Sequence, residues 1–342
     1  MIANDVKNIL APGVHHSDIG ALVTSLNWIG DIVFVTAGDG SVRTIQPSGK
    51  AISLAVHHGA ILCATRDPSG QTIITGGDDG RVCRVASDGS VCELGQFGDK
   101  WVDHLIASPA SGILVAGVGR EAVIWPKGAT VPSHRFAFTS TIGGMALDAK
   151  GKRLAVSHYN GASLVYVNAP DSRPMHLEWI GSHLACAISG AGDFLITGLQ
   201  ETGLHCWQVS GAVDMQMSGY AAKTRSFSWN WRGKKLATSG AAGAVVWPFD
   251  GKTGPMHRTP AIAGQRIGCL VSRVAFHPRH DLLAAGYDDG GVQLLTFDGR
   301  DPLALDLLDS PTAALAWNDD GTCLAWGDEE GRVGTIDLTA RP

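Results

Sequence analysis

Thirteen histidines and seven cysteines are the residues of this 342-residue chain with the most chemistry to offer. A zinc site needs three or four such ligands to converge, and the sequence offers pairs. His15-His16 and His57-His58 each precede an apolar run, while His277-x-x-His280-Asp281 sits among turn residues. His57 and His58 are the candidate metal ligands, set beside His15 and His16 at the mouth of adjacent repeats. The plainer reading is hydrogen-bonded or solvated loop histidines. Cys63, Cys83, Cys92, Cys186, Cys206, Cys269 and Cys323 are odd in number and never spaced CxxC, so they spell no disulfide framework. In strand-like runs a free cysteine behaves as a small buried hydrophobe. Gly251-Lys252-Thr253 ends like a phosphate loop but lacks the glycine five residues before the lysine. Neither a G-x-S-x-G elbow nor an H-E-x-x-H pair occurs. With no nucleophile, base and orienting group in one motif, the sequence assigns no catalytic residue and implies no cofactor. Carboxylates on strand ends facing a channel are the remaining route to an enzyme.

Those residues are positioned by a repeat. Eight times an apolar strand runs into a small residue and then a tight turn, at Gly38, Gly76, Gly117, Ser157, Gly198, Ser239, Gly286 and Gly327. The clearest copy, ITGGDDGRVCRV, ends at Val85. A regular period near forty residues means one supersecondary unit copied, each copy burying its faces against neighbours. Asp39-Gly40, Asp79-Gly80 and Asp289-Gly290 suit tight hairpins. A second turn precedes each strand, as in Asp67-Pro68-Ser69-Gly70 and Asn318-Asp319-Asp320-Gly321. Strand, turn, strand, Gly-turn, strand and a less regular fourth strand make a β-propeller blade.

Over nearly its whole length the chain resembles the WD40-repeat family, best in ATRDPSGQTIITGGDDGRVCRV and VAFHPRHDLLAAGYDDGGVQLL. Its departures matter. Trp125, Trp207 and Trp247 hold the family's tryptophan position, yet Gly119, Glu201 and Ala241 stand where the turn acid belongs. Asp39, Asp79, Asp289 and Glu330 lead instead to Ile45, Val85, Leu295 and Ile336. The family's Asp–His–Ser/Thr–Trp hydrogen-bond network is therefore expected to be complete in no blade. The expected fold is all-β, a single propeller domain over residues 1–342 with eight blades, seven being the alternative. Residues 5–11, around Val6 to Leu10, are expected to supply the outer strand of the last blade and close the ring. The segment Pro248–Leu270 reads as a projecting loop.

Hydrophobic residues at 44% and charged residues at 17% allow a large core. A net charge of −5 argues against nucleic acid or an anionic membrane as partner. No basic-then-apolar leader opens the chain, and no apolar run reaches the eighteen or so residues of a membrane helix. A reduced, cytoplasmic protein is the expectation, and the surface map bears most on function. Hairpin tips and the loops entering each repeat emerge on one face, where Asp78, Asp79, Asp288, Asp328 and Glu329 form an acidic arc, with Lys223, Arg225 and Arg273 elsewhere. Trp101, flanked by Asp103, reads as an interface anchor. Trp28, Trp229, Trp317, Trp326 and the three third-strand tryptophans read as core. The expectation is a non-enzymatic scaffold, monomeric within a complex, that recognises a protein or peptide. A small-molecule, metal or enzymatic site at the channel mouth is the alternative.

Overall fold

The computed structural model describes residues 11, 13–46, 51–211 and 213–339. The chain divides into two compact units, one of residues 1–37, 43–52 and 226–342, the other of 38–42 and 53–225.

In the first unit three four-stranded antiparallel sheets follow one another in sequence. They are Phe227–Trp229, Lys235–Thr238, Ala244–Pro248 and Ala261–Ala263; then Val271–Phe276, Leu283–Tyr287, Gly291–Leu295 and Leu303–Leu307; then Thr312–Trp317, Cys323–Asp328 and Arg332–Asp337 joined by Val14–Asp18. That last addition is an N-terminal strand on the C-terminal sheet, pairing Val14 with Ile336 and Asp18 with Arg332. Val14–Asp18 thus supplies the strand expected from residues 5–11, of which 5–10 lie outside the described residues. The reason is chemical. His16 sends Nε2 to within 2.8 Å of Asp306 Oδ2, a buried carboxylate that also accepts the Trp326 indole N–H at 2.7 Å. The sheet of Val23–Ile29, Ile32–Ala37, Ser41–Ile45 and Ala51–Ala55 is divided between the units.

The second unit holds the sheets Ile61–Arg66, Ile73–Gly77, Arg81–Val85, Val91–Gln96 and Val102–Ser108, Ile113–Val118, Glu121–Trp125, His134–Ala137. Its third sheet has six strands: Gly144–Leu147, Arg153–Tyr166, Met175–Ile188, Phe194–Leu199, Leu204–Gln208 and Asp214–Met217. The described strands therefore make seven sheets, which corrects the expectation of eight blades. Two 14-residue strands are the cause. Arg153–Tyr166 runs through its own hairpin tip, and Met175–Ile188 pairs first with Arg153–Tyr166 and then, from His183, with Phe194–Leu199. The fourth and fifth sequence repeats thus share the continuous strand Met175–Ile188 and so form one six-stranded sheet, and neither is expelled from the fold.

Burial explains why the middle strands read as continuous apolar runs. Ile113–Val118 and Phe194–Leu199 are buried at every position, whereas Val91–Gln96, an outer strand, is exposed at most. A strand with sheets packed on both faces loses the polar-out alternation. Cohesion is apolar, as expected: Ile113, Ile124 and Phe136 pack against Leu154, Val156 and Val165 of the next repeat. Trp125, Trp207, Trp247, Trp28 and Trp326 are all buried.

The hairpin tips are fastened to the loops that enter the following repeat. Gly40 O accepts the His57 N–H, Gly80 O that of Phe97, Arg120 O that of Phe138, Gly290 O that of Leu308 and Gly331 O that of Ile19. Tips and entering loops therefore share a side of their sheets. Gly80 shows why glycine is required at such a tip. Its φ is +74°, and a Cβ there would lie 2.1 Å from the Gly98 carbonyl oxygen.

Candidate functional site

The acids expected on that side are mostly occupied by the turns themselves. Asp39 Oδ1 accepts the Ser41 N–H, Asp79 Oδ1 that of Arg81 and Asp289 Oδ1 that of Gly291. This is Asx-turn chemistry, in which the side chain closes its own hairpin. Asp328 is a correction: it is fully buried, and its Oδ1 accepts the N–H groups of Glu330, Gly331 and Arg332 at 2.8–3.0 Å. Arg273 is partly buried, and its guanidinium donates to the carbonyls of Ala313 and Ser272. Asp288 and Glu329 are exposed in the first unit, and Asp78 is half-buried in the second. Lys223 and Arg225 are exposed, and Trp101 stands 61% exposed as an anchor should. Asp103 beside it is partly buried. Burial lifts its carboxyl above the usual range, against the pull of His104.

His57 is no metal ligand. Its ring is buried, with Nδ1 2.8 Å from Asp79 Oδ1 and Nε2 2.8 Å from Thr75 Oγ1, so both nitrogens are spent. Burial pushes the Asp79 carboxyl up. The His57 hydrogen bond and the backbone N–H groups of His58 and Arg81 outweigh it and hold the group below the ordinary carboxylate range. His58 is exposed and contributes its backbone N–H to Asp79 Oδ2. Three members of the Asp–His–Ser/Thr–Trp network are thus in contact, and Val85 stands in place of the fourth. His15 and His16 belong to the other unit, where His16 is held by Asp306. Among the described residues one group, Cys269, Asp288 and Asp289, brings three potential ligand atoms together. The Arg266 guanidinium already occupies Asp289 Oδ2 at 2.6 Å, which disfavours a second cation there.

A concave feature of the second unit lies where its two long strands meet. A cavity of about 780 Å³ is lined by Ser140, Tyr159, Asn160, His176, Trp179 and Ile180, among others. That is within the range of small-ligand and side-chain pockets, ~300–1,000 Å³. The hairpin tip beside it is rigid: Asn160 has φ +62° and accepts the Gly181 N–H at 3.1 Å, while Tyr159 N–H donates to Ser140 Oγ at 2.9 Å. Gly161 follows at φ +135°, and a Cβ there would strike the Leu177 carbonyl oxygen at 2.1 Å. Tyr159 and Ile180 are 58% and 82% exposed, an apolar pair at the rim.

Histidines build the wall. Ser163 Oγ lies 2.8 Å from His158 Nε2 and 3.0 Å from His176 Nδ1. A serine between two imidazoles has the makings of an activated nucleophile, yet Ser163 has no exposed surface and so orients the rings instead. Behind them His205 stacks on Trp179 at 3.9 Å between ring centroids and meets Trp207 edge-on at 4.5 Å. Its Nε2 stands 3.2 Å from Asp214 Oδ1, but neither ring nitrogen has a well-directed hydrogen bond. Burial pulls the imidazole down to about 4, against the opposing effect of Asp214 and with a further push from His183. His183, held by Thr197 Oγ1 at 2.7 Å and the Trp179 carbonyl at 3.0 Å, is lowered by burial too. Trp179 and His176 are the site residues that the repeat pattern passes over, since they lie on the irregular fourth strand; the apolar–polar alternation Met175-His176-Leu177-Glu178-Trp179 was the available signal.

Known proteins bear on this arrangement in three ways. A family model described as WD domain, G-beta repeat matches residues 50–83 and 264–294. Those stretches span the Asp79-Gly80 and Asp289-Gly290 hairpins. In those two stretches the chain is similar to the WD40-repeat family. The chain is 28% identical over 153 residues to autophagy-related protein 16 of Arabidopsis thaliana, a match covering 44% of the chain and 30% of that protein. The match therefore spans under a third of the curated relative's length. The crystal structure of the computationally designed Ika8 protein superposes with a TM-score of 0.69 at 16% identity, covering 94% of the chain and 98% of Ika8. The fold is thus an all-β propeller of antiparallel blades.

Proposed function

We infer that this protein is a non-enzymatic scaffold that receives a protein or peptide partner on the tip side of its second unit. The observation that carries the reading is the cavity at Tyr159, Trp179 and Ile180, with exposed apolar residues on a hairpin locked by Asn160. A rigid rim lowers the ordering cost of binding, and exposed aromatic and aliphatic side chains beside a pocket are what a partner's anchor residue buries against. Trp101 extends the same kind of surface, and Lys223, Arg225 and Asp78 supply charges that orient an approach. Asp79, Asp328 and Arg273 serve the fold rather than the partner. The relative's name connects it with autophagy; no partner is carried over from it. All seven cysteines are free, which supports a reducing, cytoplasmic setting and one repeat domain without cross-links.

A displayed peptide library selected on the wild type, with Ile180→Asp and Tyr159→Ala proteins as counter-targets, tests this directly. Enriched peptides should share an apolar or aromatic anchor and lose about 1–3 kcal/mol of binding to either variant. Failure to enrich any sequence over the counter-targets refutes the placement. Asp78→Lys should change the association rate and its salt dependence more than the dissociation rate, as stopped-flow mixing would show.

A further inference from the structure

The wall of the Tyr159 cavity fixes the position of a proton, and with it what the cavity can recognise. His158 Nδ1 lies 3.0 Å from the Tyr159 carbonyl oxygen, and its Nε2 lies 2.8 Å from Ser163 Oγ. A carbonyl oxygen only accepts, so Nδ1 carries the hydrogen. In the neutral ring of this buried residue Nε2 is then an acceptor, and it takes the Ser163 O–H. A hydroxyl has one hydrogen to give. Toward His176, therefore, Ser163 can only accept, and His176 Nδ1 donates to it at 3.0 Å. The relay leaves Nε2 of a neutral His176 as a lone-pair acceptor. That atom has no partner among the described residues, and His176 is exposed where Ser163 is not.

The open groups beside it are anionic and apolar. His176, Glu178 and Ile180 alternate with Leu177 and Trp179, so they stand on one face of Met175–Ile188. His176 and Glu178 are about 6.6 Å apart along that face. Both line the cavity and both are exposed. The cross-strand partner of Glu178 is Gly161, which has no side chain to cover the carboxylate. Glu178 forms no ion pair among the described residues. Glu201 adds a second carboxylate nearby, its Oε2 3.1 Å from where a Gly181 Cβ would stand. No lysine or arginine is among the described lining residues.

A partner that covers Glu178 must therefore bring a cation, and His176 Nε2 asks for an N–H beside it. An ammonium is a point charge that serves one acceptor best. A guanidinium holds five N–H donors in one plane, so one edge can face a carboxylate and another an imidazole nitrogen, while its face lies on an aromatic ring such as Tyr159. We propose that the cavity receives an arginine side chain of the partner peptide, its charge taken by Glu178 and a further N–H by His176 Nε2. The proposal rests on the reading of this cavity as a peptide site and places the arginine beside the apolar anchor.

NMR titration of the full chain, labelled with 15N at histidine, tests it with Nα-acetylarginine N-methylamide and the citrulline, lysine and norleucine counterparts. Without ligand, His176 should show a protonated Nδ1 and a bare Nε2, and Ser163→Ala should mix the two tautomers. The arginine compound should shift Nε2 saturably, with the three counterparts each weaker by about tenfold or more. Glu178→Gln should weaken the arginine compound by about tenfold and leave the citrulline compound unchanged. Glu178 is exposed, so this variant decides even if Ser163→Ala fails to fold. No saturable binding of the arginine compound, equal binding of any counterpart, or an unaltered Glu178→Gln protein would overturn the arginine site. Library peptides that lack arginine yet lose binding to Ile180→Asp would overturn it too, while leaving the partner surface standing. A library that enriches no peptide removes both.

Discussion

His57 and Asp79 show how a residue's chemistry is fixed by what surrounds it. A histidine beside a second histidine invites a metal, but a ring with Asp79 on one nitrogen and Thr75 on the other has no lone pair to give. Replacing His57 by alanine leaves a buried carboxylate contact and the Thr75 hydroxyl unmatched, and should cost about 1–3 kcal/mol in a urea unfolding curve. His277 makes a related point about protons. Its Nδ1 accepts the N–H groups of Arg279 and His280, both at 3.0 Å, and its Nε2 lies 3.0 Å from the Gly321 carbonyl oxygen. Only the neutral Nε2–H tautomer fits, and burial first, with Arg279 and His280 nearby, lowers its pKa. His183 and His205 are lowered as well, His205 to about 4 from 6.5. A pKa lower in the folded than in the unfolded chain contributes stability that is full above about 6.5 and lost as pH falls toward about 4. Thermal midpoints should therefore drop through that window, and His205→Phe should shallow the drop without abolishing it. An unchanged slope would mean that His205 is not the group titrating.

At the level of the element, the hairpin is the unit in which local chemistry and fold agree. An Asp-Gly tip needs an acceptor for the N–H two residues on and a positive φ, and Asp79-Gly80 supplies both. Because the Gly98 carbonyl approaches the same Cα, Gly80→Ala combines an unfavourable φ with a steric clash. It should lose more than about 1 kcal/mol by chemical denaturation, whereas alanine at Gly98, with open space around it, should lose less. The acidic arc was legible as a row of acids but not as a row of free charges. Asx-turn bonding consumes Asp39, Asp79, Asp289 and Asp328, and only the structure reveals which acids are left over. The count of blades failed at an element too. Nothing in the residues of Arg153–Tyr166 announces that the strand continues through Tyr159–Gly161, because the continuity comes from Asn160 being pinned to Gly181 across the ladder.

For the molecule as a whole, the N-terminal strand matters most among the described elements of the first unit. Val14–Asp18 covers the edge of Arg332–Asp337, and His16 reaches the buried Asp306. An uncovered strand edge is a template for association. Deleting residues 1–18 should lower the thermal midpoint and produce light-scattering aggregates at concentrations where the intact chain stays clear. Asp306→Ala, which strands the Trp326 indole N–H and releases His16 but leaves the Val14–Asp18 ladder, should lower the midpoint and aggregate less than the deletion. Equal aggregation by both would mean that the edge is not the cause.

The sequence by itself determined the repeat, the strands, their hairpin turns and the buried tryptophans. These follow from local forces acting over a few residues: apolar runs, Asp-Gly turn geometry and a fixed period. Tertiary structure decided which side chains from distant repeats meet. His57 finding Thr75, Trp179 covering His205, and Asp306 gathering His16 and Trp326 all depend on strands brought together by sheet packing. Spacing along the chain cannot rank such meetings, because hydrogen bonds and burial depend on three-dimensional distances of a few ångströms.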